Sequence, residues 1–234
     1  MIVRHFSDPR PEQLTRPDIN PYLEAHRAFG DEILPTDMAL AQAGRWHEVF
    51  RRDGATTRAP LHLEIGSGNG FYLSGMARLH PECDWLGIEL RYKRVVLVAK
   101  KLRGLGLTNA RIARFDATHL DKLFGEGELA GVHINHPDPW AKDKHAKHRL
   151  IGRGLLEMLA PRMAAGADLR LKTDFPPHID ALLEASEGLF EVRDVRADLA
   201  TQGAPWPDEV VTNYQRKADE RGVPVGAAWL TRRS

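Results

Sequence analysis

Leu63-Glu64-Ile65-Gly66-Ser67-Gly68-Asn69-Gly70 is an apolar run with an acid near its end, followed by glycine at every second position. Glycine accepts the left-handed backbone of a tight turn and lets a ligand approach where a β-carbon would collide. A helical pattern follows to about position 80, so the stretch reads as strand, glycine turn and helix. That is the opening unit of a doubly wound α/β sheet, where ligands bind beyond the carboxyl ends of the strands at the reversal of strand order. The register differs from a dinucleotide site: G-x-G-x-x-G needs glycine at position 71, and Phe71 stands there. Glu64, just ahead of the turn, opposes a pyrophosphate and suits a ligand that carries positive charge.

Strand and helix patterns alternate outward from this turn. Strands are expected over 60–65, 83–89, 110–115, 131–135 and 167–172, with helices over 70–80, 91–104, 150–159 and 177–188. Closing strands are expected over 190–198 and 227–231. Strands separated by helices of this length need crossovers, which give a mostly parallel, doubly wound sheet with helices on both faces. Upstream, Met38, Leu40, Ala41, Trp46, Val49 and Phe50 predict a helix over 37–52, with Asp37 as N-cap and Gly54 as stop. Residues 1–36 are proline-rich and read as a loosely structured N-terminal arm, leaving 37–234 as one catalytic domain.

The chain has 234 residues, 42% of them hydrophobic, enough for one α/β domain with a full core. Lys and Arg total 33 against 32 for Asp and Glu, so any nucleic-acid binding must rest on a local patch. The start lacks a long apolar core and a small-residue cleavage site, and no run approaches membrane-spanning length, so a cytoplasmic location is expected. Cys83 is the sole cysteine, which excludes an internal disulfide and a Cys-rich zinc site. No metal is expected: His133 and His136 fall on opposite faces of a strand, which spoils a chelate with His145 and His148.

Acids end three successive expected strands: Glu64, Glu89 and Asp116. Glu89 can accept from both hydroxyls of a ribose, and Asp116 from an adenine amino group. With Glu64 favouring a cation, these positions fit S-adenosylmethionine, which carries an ammonium and a sulfonium.

The fourth expected strand runs into His133-Ile134-Asn135-His136-Pro137-Asp138-Pro139-Trp140, then into the basic tract Lys142, Lys144, His145, Lys147, His148 and Arg149. Flanking prolines stiffen the backbone around Asp138. The tract stands out in a chain otherwise balanced in charge, and it abuts that acid, which favours a phosphate backbone as partner. Trp140 suits stacking on a base.

With these residues the chain resembles the bacterial tRNA (guanine-N(7))-methyltransferase family. The likeness covers 63–70, 87–91, 114–117, 137–151, 172–175 and 212–217. Pro-Asp-Pro-Trp with its basic tail is specific to that family, whereas the glycine turn is shared by many methyltransferases. The resemblance implies a Rossmann-like class I fold that transfers a methyl group from S-adenosylmethionine to N(7) of a guanine in the tRNA variable loop. It implies Glu64, Gly66, Gly68, Gly70, Glu89, Asp116 and Asp138 around the cofactor, with Asp138 catalytic. It further implies that Lys142, Asp174, Thr212, Tyr214 and Gln215 meet the target nucleotide, and that Lys144 to Arg149 contact RNA. The expected partner is tRNA, with the chain a monomer or weak homodimer. Two positions depart from the family pattern: His136 stands where Phe is usual, and Gln215 where Glu is usual. Two other readings use the same residues: an RNA-binding module that holds S-adenosylmethionine without turnover, and a methyltransferase for a substrate other than tRNA.

Overall fold

The computed structural model describes residues 22, 25–26, 28–50, 58–139 and 150–234. Their strands are β1 (Ile33–Leu34), β2 (Leu61–Ile65), β3 (Asp84–Glu89), β4 (Ala110–Arg114), β5 (Leu129–Asn135), β6 (Met163–Thr173), β7 (Phe190–Arg196) and β8 (Gly226–Arg232). They form one eight-stranded sheet in the order β1-β4-β3-β2-β5-β6-β8-β7. Neighbours from β1 to β6 are parallel, and β8 is antiparallel to both β6 and β7. The chain builds outward from β2 through β3 to β4, then returns to place β5 on the other side of β2. The reversal of order therefore lies between β2 and β5.

The helices are α1 (Thr36–Leu40), α2 (Phe71–Leu79), α3 (Tyr92–Gly104), α4 (Arg153–Leu159), α5 (Pro177–Ser186), α6 (Leu199–Gln202) and α7 (Asn213–Asp219). The central strands are apolar on both faces because helices cover both. On one face, Tyr72, Leu73 and Met76 of α2 and Val95, Val96, Val98, Ala99 and Leu102 of α3 close over Trp85 and Ile112. On the other, Leu155, Leu156 and Leu182 from α4 and α5 pack on Leu63, Ile134 and Leu171. The outer strand β7 exposes Glu191 and Arg193, and charge of this kind discourages further strand pairing.

The expected alternation is present, with three differences. Over its described part, 37–50, the helix predicted over 37–52 is instead α1, a turn and a 3-10 turn at Trp46–Glu48; 51–57, with the Gly54 stop, lie outside the described residues. Gly44 adopts a φ of 77°. The Glu128 carboxylate takes the N–H of Gly44 at 2.8 Å and of Trp46 at 3.0 Å, while Trp46 Nε1 donates to the Leu123 carbonyl at 2.8 Å. These tertiary bonds fix Trp46 in the core and override the helical spacing; Asp37 lies in the first turn of α1, behind Pro35 as N-cap. Second, the segment read as arm supplies β1, whose Ile33 is buried, so the sheet begins before Asp37; residues 1–21 lie outside the described set. Third, the link between β7 and β8 carries α6 and α7, each opened by a side-chain cap: Asp198 accepts from Ala200 N and Thr212 Oγ1 from Gln215 N.

Gly87 in β3 tests the packing beneath the glycine turn. A β-carbon there would collide with Ser67 Oγ and come within 2.9 Å of Leu73 Cδ2 and 3.0 Å of Ile112 Cδ1. Removing a glycine from a strand gains about 0.5–1 kcal/mol, and overpacking costs about 1–3 kcal/mol. Gly87→Ala is therefore expected to lower the urea unfolding midpoint; an unchanged or raised midpoint would show that the turn yields.

Candidate active site

Beyond the carboxyl ends of β2 to β5 lies a cleft of about 960 Å³. Its floor is the glycine turn. Gly66 and Gly68 have φ of 77° and 54°, and a β-carbon at Gly66 would meet nothing within 4 Å, so bare backbone faces the opening. Gly70, at φ 71°, caps α2 without lining the cleft; its absent β-carbon gives room to Val98, whose methyls would lie 3.1 Å away.

Glu64 is 2% exposed. Its Oε1 accepts from Asn135 Nδ2 at 3.2 Å, and its Oε2 has no partner among the described residues. Burial pushes its carboxyl up to about 7, against the lowering pull of the Ser67 hydroxyl, the Asn135 bond, the Lys172 ammonium and the Leu73 backbone. Glu89 braces the turn from β3: Oε2 accepts from Gly68 N at 3.2 Å, and Oε1 from Leu90 N at 2.8 Å and Arg91 N at 3.0 Å. Asp116, just past β4, also lines the cleft, with Oδ1 accepting from Thr118 N and Oγ1.

The opposite wall comes from the end of β5 and the start of α7. Asp138 is exposed on the cleft rim between its two prolines. Thr212, Asn213 and Tyr214 line the same wall. The imidazole of His136 is nearly buried, stacks on Tyr214 with centroids 5.8 Å apart, and lies 3.4 Å from Asp174 Oδ1 through Nδ1. Asp174 does not cap α5; Pro176 holds that position, and Thr173 Oγ1 takes the Phe175 N–H.

Gln215 does not join this wall. It is buried, and its Oε1 accepts from Lys172 Nζ at 3.1 Å. Lys172, in β6, also donates to Glu209 Oε1 at 2.9 Å and to the Val210 carbonyl at 2.8 Å. Burial lowers its pKa, and Glu209 opposes that shift. Val210 also abuts α2, where a β-carbon on Gly75 would stand 2.6 Å from Val210 Cγ1. Asn135 and Lys172 are the site residues the sequence reading did not single out. Their signal was present: each is polar at the end of an apolar strand, where a side chain needs a partner. The Thr-x-x-Gln spacing of 212–215 likewise matches a helix-opening capping pattern.

His133 points away from His136 and is buried with its Nδ1 2.9 Å from the Tyr72 hydroxyl and its Nε2 3.1 Å from His62 Nδ1. Among the described residues no group of three or more His, Cys, Asp or Glu is arranged to hold a metal, and no helix is long and apolar enough to cross a membrane. Trp140, Lys142, Lys144, His145, Lys147, His148 and Arg149 lie outside the described residues.

Solved structures share the architecture. The 16S rRNA methyltransferase KamB aligns with a TM-score of 0.60 at 16% identity, covering 82% of this chain and 94% of that one. TrmN from Thermus thermophilus aligns with a TM-score of 0.54 at 20% identity, covering 89% and 52%. The fold, with its cleft at the strand reversal, is that of the class I S-adenosylmethionine-dependent methyltransferases. Residues 58–228 match the family model described as "Putative methyltransferase". A tRNA (guanine-N(7)-)-methyltransferase from Geobacillus kaustophilus is 36% identical over 180 residues, 76% of this chain and 80% of the relative. One from Bacillus velezensis is 30% identical over 217 residues, 88% and 97% respectively. The chain belongs to the tRNA (guanine-N(7)-)-methyltransferase family.

Glu64 makes stability depend on pH in a direction opposite to that of most carboxylates. Between its ordinary value of 4.5 and about 7, the folded chain keeps a proton that the unfolded chain has released. The contribution is full below the ordinary value and lost as pH rises through about 7. Glu64→Gln, a neutral isostere, should match the wild type in denaturant unfolding near pH 4. Near pH 8 it should exceed it by up to about 3 kcal/mol. A gap of equal size at both pH values would mean that Glu64 is ionised throughout.

Proposed function

We propose that the chain transfers the methyl group of S-adenosylmethionine to N(7) of a guanine in the variable loop of tRNA, in the cytoplasm, as a monomer or weak homodimer. The observation that carries this reading is the convergence on one cleft of a buried, half-unpartnered carboxylate at Glu64 and a rim carboxylate at Asp138. The residues fit the cofactor. Glu64 Oε2 is a buried acceptor awaiting a cationic donor, Gly66 leaves a cradle that a β-carbon would occupy, and Glu89 and Asp116 follow at the next two strand ends. When bound, S-adenosylmethionine supplies an electrophilic methyl group on a sulfonium.

The chain's own work is orientation and electrostatics. N(7) of guanine has a free lone pair at neutral pH, so no general base is required. Holding the nucleophile in line can supply several kcal/mol of the barrier. Alkylation leaves positive charge on the purine, and the Asp138 carboxylate, held by Pro137 and Pro139, stabilises that charge. Asp174 and Tyr214 meet the target nucleotide. Thr212 and Gln215 shape the wall from behind, as helix cap and as acceptor for Lys172. Lys142, Lys144, His145, Lys147, His148 and Arg149 hold phosphates, which makes affinity fall with salt.

Labelled S-adenosylmethionine with tRNA lacking N(7)-methylguanosine should give label on a single guanine, located by mapping the modified nucleotide. Asp138→Ala should lower kcat by about 10²–10³-fold, the range for loss of one electrostatic stabiliser. Turnover near wild type in that variant would remove Asp138 from the chemistry. Tight cofactor binding without label on any tRNA would favour the binding-module reading.

A further inference from the structure

His136 combines two costs at one residue of the cleft wall. It is the non-glycine residue with positive φ among those described, at 47°. Histidine tolerates that region better than most side chains, but the conformation still stores strain. The backbone is pinned there by its N–H, which donates to the Lys172 carbonyl at 2.8 Å. In addition, its Nε2 is buried and has no hydrogen-bond partner among the described residues. Strained residues cluster at functional sites, and a buried polar atom without a partner on the cleft wall has a place for a ligand to fill.

The neighbours define what the free nitrogen can do. A carboxylate only accepts, so Asp174 beside Nδ1 holds the ring proton there and leaves Nε2 as a lone-pair acceptor. Tyr214, which lies against the imidazole, is 55% exposed and so has room to turn aside. A partner for this place must be flat, to meet the two rings, and must bring an N–H donor. The Watson–Crick edge of guanine does both, with N1–H and the 2-amino group. We infer that His136 is a specificity-determining residue for the target base, its Nε2 accepting a hydrogen bond from that edge while Asp174 fixes the tautomer. The inference rests on the function proposed above. Guanine offers three N–H bonds on this edge, so His136 adds to acceptance by a carboxylate and does not exclude it.

The test uses the full chain and tRNA carrying guanine, inosine or 2-aminopurine at the mapped position. Inosine lacks the 2-amino group and 2-aminopurine lacks N1–H. The wild type should disfavour at least one analogue in kcat/KM. His136→Phe keeps an aromatic ring but loses the acceptor, and should fall about ten- to a hundredfold on guanine, the range for one buried hydrogen bond, while the discrimination narrows to what the carboxylates supply. His136→Asn suits the left-handed backbone and keeps an acceptor oxygen, and should retain part of the discrimination. The dissociation constant for S-adenosylmethionine should stay within about twofold in both variants. An equal loss on all three bases, no loss at all, or weakened cofactor binding with normal base discrimination would overturn the inference. A wild type that labels no guanine would overturn the proposed function and this inference with it, whereas a wild type that labels guanine beside an indifferent His136→Phe overturns the inference alone.

Discussion

A lysine ammonium buried inside a sheet has to be met by acceptors, and Lys172 collects three of them from one segment: Glu209, Val210 and Gln215. The obligation is severe because a charge left unpaired in this environment costs several kcal/mol. It follows that the link between β7 and β8 cannot lie loosely over the strand ends. Its backbone is drawn down at Val210 and its helix α7 is drawn down at Gln215, which leaves Thr212, Asn213 and Tyr214 facing the cleft between those two anchors. The carbonyl of the same lysine accepts from His136, so one residue of β6 sets both the wall and the turn that carries Asp138.

The acids of the cleft are alike in the sequence and unlike in the fold. Glu89 spends both oxygens on backbone N–H groups and so stiffens the glycine turn. Asp116 caps the turn that follows it. Glu64 combines full burial with an oxygen that finds no partner among the described residues, and desolvation displaces its protonation strongly. Such a group is electrostatically incomplete, and a cation is the species that completes it.

Much of this could be read before the fold was seen. The apolar strand, the alternate glycines and the absence of glycine at position 71 point away from a pyrophosphate site, and each is legible because it depends on local chemistry. The alternation of 3.6- and 2-residue periods from 60 to 190 was equally local. What escaped depends on distance in sequence. Trp46 looked helical because nothing nearby reveals that Glu128 and Leu123 anchor it. The resemblance puts Gln215 at the base, whereas its bond to Lys172, 43 residues earlier, is invisible from its own neighbourhood. Helices α6 and α7 were too short to show a period, though their Asp and Thr caps were legible. The basic tract after Asp138 was read from its charge alone, and it lies outside the described residues.

Gly75 gives the architecture a mechanical property. Its bare Cα lets Val210 rest directly on α2, the helix whose first turn continues the glycine turn. The floor and the far wall of the cleft thus share a bearing surface with no compressible side chain of Gly75 between them, and close-packed atoms transmit displacement instead of absorbing it. Any tilt of α2 would press on Val210, four residues before Tyr214. The smallest residue in the helix thus sets how closely the floor and the far wall of the cleft approach each other.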